Sequence, residues 1–245
     1  MAIAETIKNQ GASKSTLDFQ KLISGSESLG LTLSNRQLAQ FRVYFEQLEL
    51  WNQRINLTSV NGWDNVQVRH FLDSLTLVLA SKFGISKSDR LLDLGSGAGF
   101  PGLPLKLVWP DLQLTLIESR EKKTAFLQHV CTALKLKNVE IETIRAEESA
   151  HTQFRETFDT VVTRGLAQMI TLAELTLPFC RIGGTVRYQA GECRDGGRKG
   201  RGAVGLCAAD LHRPRSDGQS YPRPGDGRCG DRSLGAPHRS LPGAG

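Results

Sequence analysis

The sequence lacks paired cysteine motifs, long apolar runs and an apolar N-terminal segment. No run approaches the roughly 18 consecutive apolar residues that a membrane span needs, and residues 1–10 carry the polar Glu5, Lys8 and Asn9 where a secretory signal has an apolar centre. We therefore expect a cytoplasmic protein without membrane contact. The five cysteines contain no Cys-x-x-Cys pair, which argues against a disulfide framework and a structural zinc site and predicts free thiols and no bound metal. They are Cys131, Cys180, Cys193, Cys207 and Cys229.

The chain beyond Val186 lacks the composition of a folded core. Residues 187–245 hold 13 glycines and 5 prolines, but only five residues in all from Leu, Ile, Val, Phe and Met. A segment of this composition buries too little apolar surface to fold by itself. We therefore divide the chain into an N-terminal helical cap over 1–84, a truncated folded domain over 85–186 and a disordered tail over 187–245.

The basic residues change in kind at the same boundary. The tail contains ten Arg and one Lys, whereas residues 1–186 contain ten of each, and the tail also lacks Ile, Phe, Thr, Asn and Met. Because an out-of-frame, GC-rich message would encode such a bias, we expect the segment from about Arg187 onward to be the product of a shifted reading frame, with weak stability and low activity as the result. A genuine Arg/Gly tail that binds RNA is the alternative.

Most of the positive charge also lies in the tail. Of the net charge of +6, the tail carries +5 and residues 1–186 carry +1. Since attraction to nucleic acid grows with the number of phosphates that a protein neutralises, the folded part has little non-specific affinity for RNA. Recognition of an RNA would therefore need a shaped substrate.

The segment before residue 52 predicts two helices. A short helix is expected over 16–28, and Ser34 with Gln37 forms a capping box that opens a longer one. Apolar residues then recur at steps of three and four, which is the pattern of one buried helical face. This face consists of Leu38, Phe41, Phe45, Leu48 and Trp51.

A further amphipathic helix is expected over about 64–81, ended by Gly84. Arg69 and Asp73 lie on its polar side at the spacing of an i,i+4 ion pair. The apolar side should be buried against the rest of the fold. It consists of Val68, Phe71, Leu72, Leu75 and Leu79.

From Arg90 onward, short apolar runs alternate with helical patterns. This alternation predicts βα units, and hence an α/β fold with a doubly wound, mostly parallel sheet behind the helical cap. After the last helix, Gly183 and Gly184 turn the chain into a short strand over 185–186. The other predicted strands are 91–94, 112–117, 139–144 and 158–163, and the helices are about 102–109, 120–136 and 168–181.

The segment from Leu91 to Gly102 predicts a strand that leads through a glycine-rich loop into a helix. Such a loop lets a ligand approach the backbone at the carboxyl edge of the sheet. Residues 97–102 also fit the Gly-x-Gly-x-x-Gly pattern of NAD-binding folds, with Glu118 placed to meet a ribose. Asp93 would repel a pyrophosphate but stabilise a sulfonium or amino group, which favours S-adenosylmethionine over NAD. A helix-capping Asp93 and a solvated Glu118 are the alternatives.

Several segments besides the loop form a recognisable set. They are Trp51-Asn52, Ile55 to Ser59, Arg69 to Ser74, Gly99 to Leu105, Glu118 to Arg120 with Lys122-Lys123 and Phe126-Leu127, Arg145 to Glu148, and Phe158 to Arg164. This set, spanning about 30–186, resembles the bacterial 16S ribosomal RNA guanine-N7 methyltransferases, the glucose-inhibited division protein B family. The chain departs from the family pattern at Thr163 and Gly165, where the family has Ser and Ala. It also lacks the Lys-Gly and the further strands that follow 185–186 in the family.

The resemblance implies a class I, Rossmann-like methyltransferase that uses S-adenosylmethionine to methylate guanine N7 in 16S rRNA. We expect a monomer that acts on the RNA or on the small ribosomal subunit. An NAD-dependent oxidoreductase and an inactive, RNA-binding relative are the alternatives. The residues expected to bind the cofactor are Asp93, Gly95, Gly97, Phe100, Glu118, Ala146, Glu147 and Arg164.

Arg164 is also the expected catalytic residue, because one N–H donated to guanine O6 would orient the base. A bidentate grip on O6 and N7 would instead block the nucleophile. His70 has no second metal ligand at helical spacing, so a metal role is not expected. The family pattern makes Asn56, Arg69 and His70 candidates for RNA contacts or for framing the cofactor pocket. Local help in RNA recognition is expected from a set of basic residues, for which an ordinary solvated helix face is the alternative. The set consists of Arg120, Lys122, Lys123, Lys135 and Lys137.

Overall fold

A computed structural model describes residues 17–80, 85, 89–165, 169–189, 194–195, 198–199 and 204–208. All of them belong to one compact unit, 1–212. The N-terminal part is helical. It comprises α1 (Gln20–Ser28), α2 (Asn35–Asn52), α3 (Trp63–Val66), a π-helical turn (Gln67–Leu72), α4 (Asp73–Leu75) and a 3₁₀ turn (Thr76–Ala80). Among the described residues, no helix has the length and apolar character of a membrane span.

The second part is a six-stranded sheet with the order β3-β2-β1-β4-β5-β8. Strands β1 to β5 are parallel, and β8 pairs antiparallel with β5. The strands are β1 (Arg90–Leu94), β2 (Gln113–Ile117), β3 (Val139–Glu142), β4 (Phe158–Arg164), β5 (Cys180–Gln189) and β8 (Val204–Ala208), while β6 (Arg194–Asp195) and β7 (Arg198–Lys199) form a separate ribbon.

Helices connect the parallel strands, and the α/β prediction is therefore confirmed. The connecting helices are α5 (Gly102–Val108), α6 (Glu121–Ala133), α7 (Ala146–Ser149) and α8 (Met169–Thr176), followed by a 3₁₀ turn (Leu177–Phe179). Because all five parallel strands run in the same direction, the loops that follow β1, β2 and β4 emerge at one edge of the sheet. That edge holds the candidate site.

The two faces of the sheet are buried in different clusters. Leu91 and Leu114 face a large cluster that also contains Phe41 and Phe71 from the N-terminal helices. Leu92 points to the opposite face, because side chains alternate along a strand, and packs in a smaller cluster. The N-terminal helices are thus a layer on the sheet that shares its core.

Helix α2 begins as the sequence predicts. Ser34 Oγ accepts a hydrogen bond from the Gln37 backbone N–H at 3.4 Å, and Gln37 Oε1 accepts one from Ser34 N–H at 2.8 Å. Phe41 and Leu48 are fully buried, and so is Tyr44, which the predicted apolar face did not include. Leu38, Phe45 and Trp51 are partly buried against the same core.

The predicted apolar side of the helix over 64–81 is wrong at two positions. Phe71 and Leu75 are fully buried, but Val68 is 45% exposed and Leu79 is 59% exposed. The reason is that the backbone is not a uniform α-helix. A π turn contains more residues than an α turn and a 3₁₀ turn contains fewer, so the 3.6-residue period that places both side chains inward does not hold.

Several helix and strand boundaries in the structure differ from the predicted ones. Strand β3 ends at Glu142 rather than at residue 144, and the last predicted helix stops at Phe179, because Cys180 already belongs to β5. The short strand expected over 185–186 is ten residues long. It continues past Val186 and pairs with β8. The other predicted elements match within a few residues.

Cys131 and Cys180 are buried, and Cys131 is a free thiol, as the cysteine pattern predicts. The side chains of Cys193, Cys207 and Cys229 lie outside the described residues, as do Gly84 and the chain after Ala208. The predictions of a shifted reading frame and of a disordered tail are therefore not tested and stay predictions.

Candidate active site at the carboxyl edge of the sheet

The loop after β1 is a tight backbone turn held against β2. The N–H groups of Gly95 and Ser96 both donate to the Ile117 carbonyl, at 2.8 and 3.1 Å. Gly99 has a φ of +92°, and a Cβ there would lie 2.4 Å from Leu103 Cδ1 and 2.7 Å from the Tyr44 hydroxyl. Only glycine fits this position, and the glycine at residue 99 therefore lets the loop approach Tyr44 and Leu103 closely.

Asp93 lies beneath the loop, at the start of α5. It is fully buried, and its Oδ2 accepts a hydrogen bond from Gly102 N–H at 2.8 Å. Within the described residues its Oδ1 has no hydrogen-bond partner, and burial raises the pKa of the carboxyl to about 7. The structure thus shows the helix-capping role that was the alternative for Asp93. The contact with a cationic ligand stays a prediction, and it requires the buried oxygen to become accessible.

Glu118 follows β2 and turns its carboxylate toward the same loop. Oε2 accepts from Gly97 N–H at 2.9 Å, and Oε1 accepts from Arg120 N–H at 3.0 Å. The Lys123 ammonium lies 4.0 Å from Oε2. An ionised carboxylate has about four acceptor positions, so both oxygens can still accept from a ligand. The solvated alternative for Glu118 is wrong, because the residue is 6% exposed.

A cavity of about 510 Å³ opens between this loop and the helical layer. Its size lies within the usual range for small-molecule sites. Predicted site residues that line it are Gly95, Gly97, Phe100, Glu118, Ala146, Glu147, Arg164 and His70, and other lining residues include Thr58, Arg120, Lys123 and Arg145. The sequence therefore identified most of one wall of this cavity.

S-adenosylmethionine fits the residues that are present. A Cβ built on Gly97 would meet no atom closer than 3.9 Å, so the space above the loop is open to a ligand. Beside it, the Glu118 carboxylate can accept from ribose hydroxyl groups. The loop offers its backbone groups to a ligand in this space.

Arg164 ends β4 and is held at the opposite wall. Its Nη2 lies 2.8 Å from His70 Nδ1, and its Nη1 lies 3.3 Å from Asp73 Oδ2. The guanidinium carbon lies 5.2 Å from the centre of the Phe100 ring. Burial lowers the pKa of Arg164, but a guanidinium remains charged near neutral pH. Asp73 thus binds a residue that is distant in sequence, and its predicted pair with Arg69 stays a prediction.

His70 is buried between Phe100 and Thr58. Its ring stacks on Phe100 with the centres 4.4 Å apart, and Nε2 lies 2.7 Å from Thr58 Oγ1. Burial, followed by the nearby Arg164 charge, lowers the pKa of His70 to about 4. Among the described residues no group of three potential ligands could hold a metal ion.

The other two RNA candidates lie outside the cavity lining. Asn56 and Arg69 are both exposed, Asn56 on the loop next to Thr58 and Arg69 on the π turn beside His70. The Arg69 carbonyl accepts from Arg164 Nη1 at 3.4 Å, so its backbone contributes to the site. Their side chains remain candidates for contacts with a large substrate.

Sequence reasoning missed Tyr44 and Thr58. The Tyr44 hydroxyl donates to the Ala98 carbonyl at 2.6 Å and thereby ties α2 to the glycine loop. Its spacing from Phe41 and Leu48 was the available signal. Thr58 belongs to a segment that carried the family resemblance, and its loop is fixed by the Asn52 side chain, which accepts from Leu57 and Thr58 N–H at 2.9 and 3.0 Å.

Comparison with known proteins settles the family. The family model for rRNA small subunit methyltransferase G matches residues 37–195. The chain is 49% identical to ribosomal RNA small subunit methyltransferase G of Dehalococcoides mccartyi over 167 residues, which is 68% of this chain and 70% of that one. The chain belongs to the rRNA small subunit methyltransferase G family. It is a methyltransferase, so the NAD-dependent oxidoreductase alternative is set aside.

A second relative carries the same family name. The protein of the same name from Roseiflexus castenholzii is 47% identical over 176 residues, 71% of this chain and 74% of that one. Among solved structures, a precorrin-6y C5,15-methyltransferase from Geobacter metallireducens has a TM-score of 0.43 and 13% identity, over 56% of this chain and 67% of that one. The M. jannaschii TYW2 protein in complex with AdoMet has a TM-score of 0.41 and 15% identity, over 48% and 50%.

Proposed function

We propose that this member of the family transfers the methyl group of S-adenosylmethionine to N7 of a guanine in small-subunit (16S) ribosomal RNA. The observation that carries the proposal is that the glycine loop, Glu118 and Arg164 line the same cavity. One wall has the chemistry of an adenosyl site, and the other presents a fixed cation to a substrate. The enzyme acts as a cytoplasmic monomer.

Residues at the ends of the parallel strands would hold the cofactor. The Glu118 carboxylate would accept from the ribose hydroxyls, and the Gly95 to Gly97 backbone would contact the sugar and the amino acid part. Ala146 and Glu147, which line the cavity at the start of α7, would border the adenine. When bound, S-adenosylmethionine supplies an electrophilic methyl group on a positively charged sulfur.

The chemistry at guanine N7 needs orientation more than acid or base catalysis. N7 carries a lone pair in the plane of the base and has no proton to lose, so no general base is required. Alignment of N7 with the methyl carbon is a proximity effect, which contributes several kcal/mol in favourable cases. Arg164 keeps N–H groups that its contacts with His70 and Asp73 do not use, and it donates one of them to guanine O6.

The RNA approaches along a basic rim. Arg120, Lys123 and Arg145 line the cavity, and Lys122 is exposed on the same helix, α6. Four or fewer phosphate contacts give modest affinity, so the shape of the ribosomal substrate supplies the remaining selectivity. Lys135 and Lys137 are exposed just after the opposite end of α6, outside the cavity lining.

A methyl-transfer assay with small ribosomal subunits that lack this modification tests the proposal. We expect release of S-adenosylhomocysteine and a 7-methylguanine in the 16S rRNA. Arg164→Ala should abolish transfer without unfolding the protein. Arg155→Ala removes an exposed arginine that precedes β4 in the sequence, and it should leave transfer unchanged. Near-normal turnover by Arg164→Ala would contradict the role of Arg164, and a wild-type protein without transfer would contradict the function.

A further inference from the structure

We propose that His70 is a positioning residue that holds Arg164 at the substrate wall through an unprotonated Nδ1, an inference that rests on the methyl-transfer function proposed above. His70 and Arg164 are 94 positions apart in sequence, and their side chains meet at 2.8 Å. The contact lies at the edge of the cavity, which both residues line. His70 then acts on the reaction only through the orientation of the guanidinium.

The donor and acceptor roles in this contact follow from the chemistry of arginine. A guanidinium donates five N–H bonds and accepts none, so the His70 Nδ1 that faces it must carry a lone pair. The Arg69 carbonyl lies 3.0 Å from the same Nδ1 and would otherwise attract a proton there. That carbonyl, however, has a donor in Arg164 Nη1 at 3.4 Å.

The other ring nitrogen then carries the proton. His70 Nε2 donates to Thr58 Oγ1 at 2.7 Å, and the same oxygen accepts from Val60 N–H at 3.0 Å. A neutral ring with its proton on Nε2 satisfies both contacts at once, and its pKa of about 4 keeps it neutral at physiological pH. Thr58 therefore helps to select the form of His70 that can accept from Arg164.

Phe100 fixes the plane in which this contact forms. The His70 ring is stacked on Phe100 at 4.4 Å and 23°, and Arg164 lies over the same ring at 5.2 Å. Phe100 is 5% exposed and cannot move far without disturbing the core. Arg164 thus has three neighbours with separate roles. Asp73 pairs with its charge, Phe100 packs against the guanidinium, and the hydrogen bond to His70 sets the direction in which the guanidinium points.

Two substitutions separate the roles of the ring nitrogens. In His70→Asn, the amide oxygen occupies a place close to that of Nδ1 and can still accept from Arg164. In His70→Gln, the amide group reaches toward Thr58, and the acceptor beside Arg164 is lost. Both variants lose the stacked ring, so each is the control for the other.

We expect His70→Asn to keep a kcat at least about tenfold higher than that of His70→Gln, since a hydrogen bond to a charged group contributes about 1.5–3 kcal/mol. The affinity for S-adenosylhomocysteine should change equally in the two variants, because both lose the same ring that stacks on Phe100. Equal kcat values, or a faster His70→Gln enzyme, would overturn the proposal.

Nitrogen NMR of the cofactor-free wild-type protein gives a readout that needs no RNA and no activity. At neutral pH, Nδ1 of His70 should show the shift of an unprotonated ring nitrogen, and Nε2 that of a protonated one. In Arg164→Ala, the proton should move to Nδ1, where the Arg69 carbonyl can accept it. A protonated Nδ1 in the wild type would refute the arrangement even if the enzyme methylates rRNA. An inactive enzyme with the expected shifts would refute only the proposed function.

Discussion

The Arg187 guanidinium is fully buried and donates to the Leu77 carbonyl at 2.8 Å. This contact joins β5 to the 3₁₀ turn that ends the N-terminal helices. Gln189, two residues further on, donates to Asp73 and Thr76 in the same helical segment. The end of β5 therefore supports the helical segment that carries His70 and Asp73. The two residues that make these contacts, Arg187 and Gln189, lie beyond the compositional boundary near Val186.

Arg187→Ala should lower the free energy of unfolding by about 2–4 kcal/mol, because it opens a cavity and leaves the Leu77 carbonyl without its donor. Urea denaturation measures the loss. Arg181→Ala is the matched control on the same strand. Arg181 is half exposed in an ion pair with Asp159, so its loss should stay below about 1 kcal/mol. Equal, small losses would indicate that the fold does not use the chain beyond Val186.

Glu118→Gln should weaken S-adenosylhomocysteine binding by about 1–3 kcal/mol, since the ribose hydroxyls lose a charged acceptor. Isothermal titration calorimetry measures the affinity. Glu121→Gln removes a carboxylate that is close in sequence but exposed on the first turn of α6, outside the cavity lining, and should leave the affinity unchanged. Similar affinities for wild type and Glu118→Gln would contradict the ribose contact.

Asp93→Asn should remove a pH dependence of stability. Burial raises the pKa of Asp93 from 3.8 to about 7, so the folded protein binds this proton more tightly than the unfolded chain. The contribution of Asp93 to stability is then complete below pH 4 and falls as the pH rises to 7, by an amount on the order of 4 kcal/mol. Denaturation curves at several pH values should show this fall in wild type relative to Asp93→Asn. Parallel curves would show that Asp93 is not protonated in the folded state.

His70 should have the opposite effect in an overlapping range. Its pKa is lowered from 6.5 to about 4, so the folded protein binds this proton less tightly than the unfolded chain. Stability from this residue is complete above pH 6.5 and is lost toward pH 4, by on the order of 3 kcal/mol. The difference between wild type and His70→Gln in unfolding free energy should therefore shrink on acidification. A constant difference would contradict a neutral, buried His70.

The sequence by itself determined the elements whose signals are local. The glycine loop, Asp93 and Glu118 occupy consecutive βα units, and parallel strands bring the ends of such units to one edge. The loop and Glu118 could therefore be assigned to one site before any coordinates were considered. The Ser34 capping box likewise depends on only four consecutive residues, and the structure confirms it.

Only the tertiary structure decided which distant side chains meet. Arg164 lies 94 positions from His70, Tyr44 lies 54 from Ala98, and Arg187 lies 110 from Leu77. No periodicity encodes such pairs, because they depend on how the helical layer is placed on the sheet. The π turn is a further feature that the 3.6-residue pattern did not predict, and it leaves Val68 exposed. Spacing along the chain thus specified the cavity wall formed by the glycine loop and Glu118, whereas the packing of two layers specified the wall formed by Arg164 and His70.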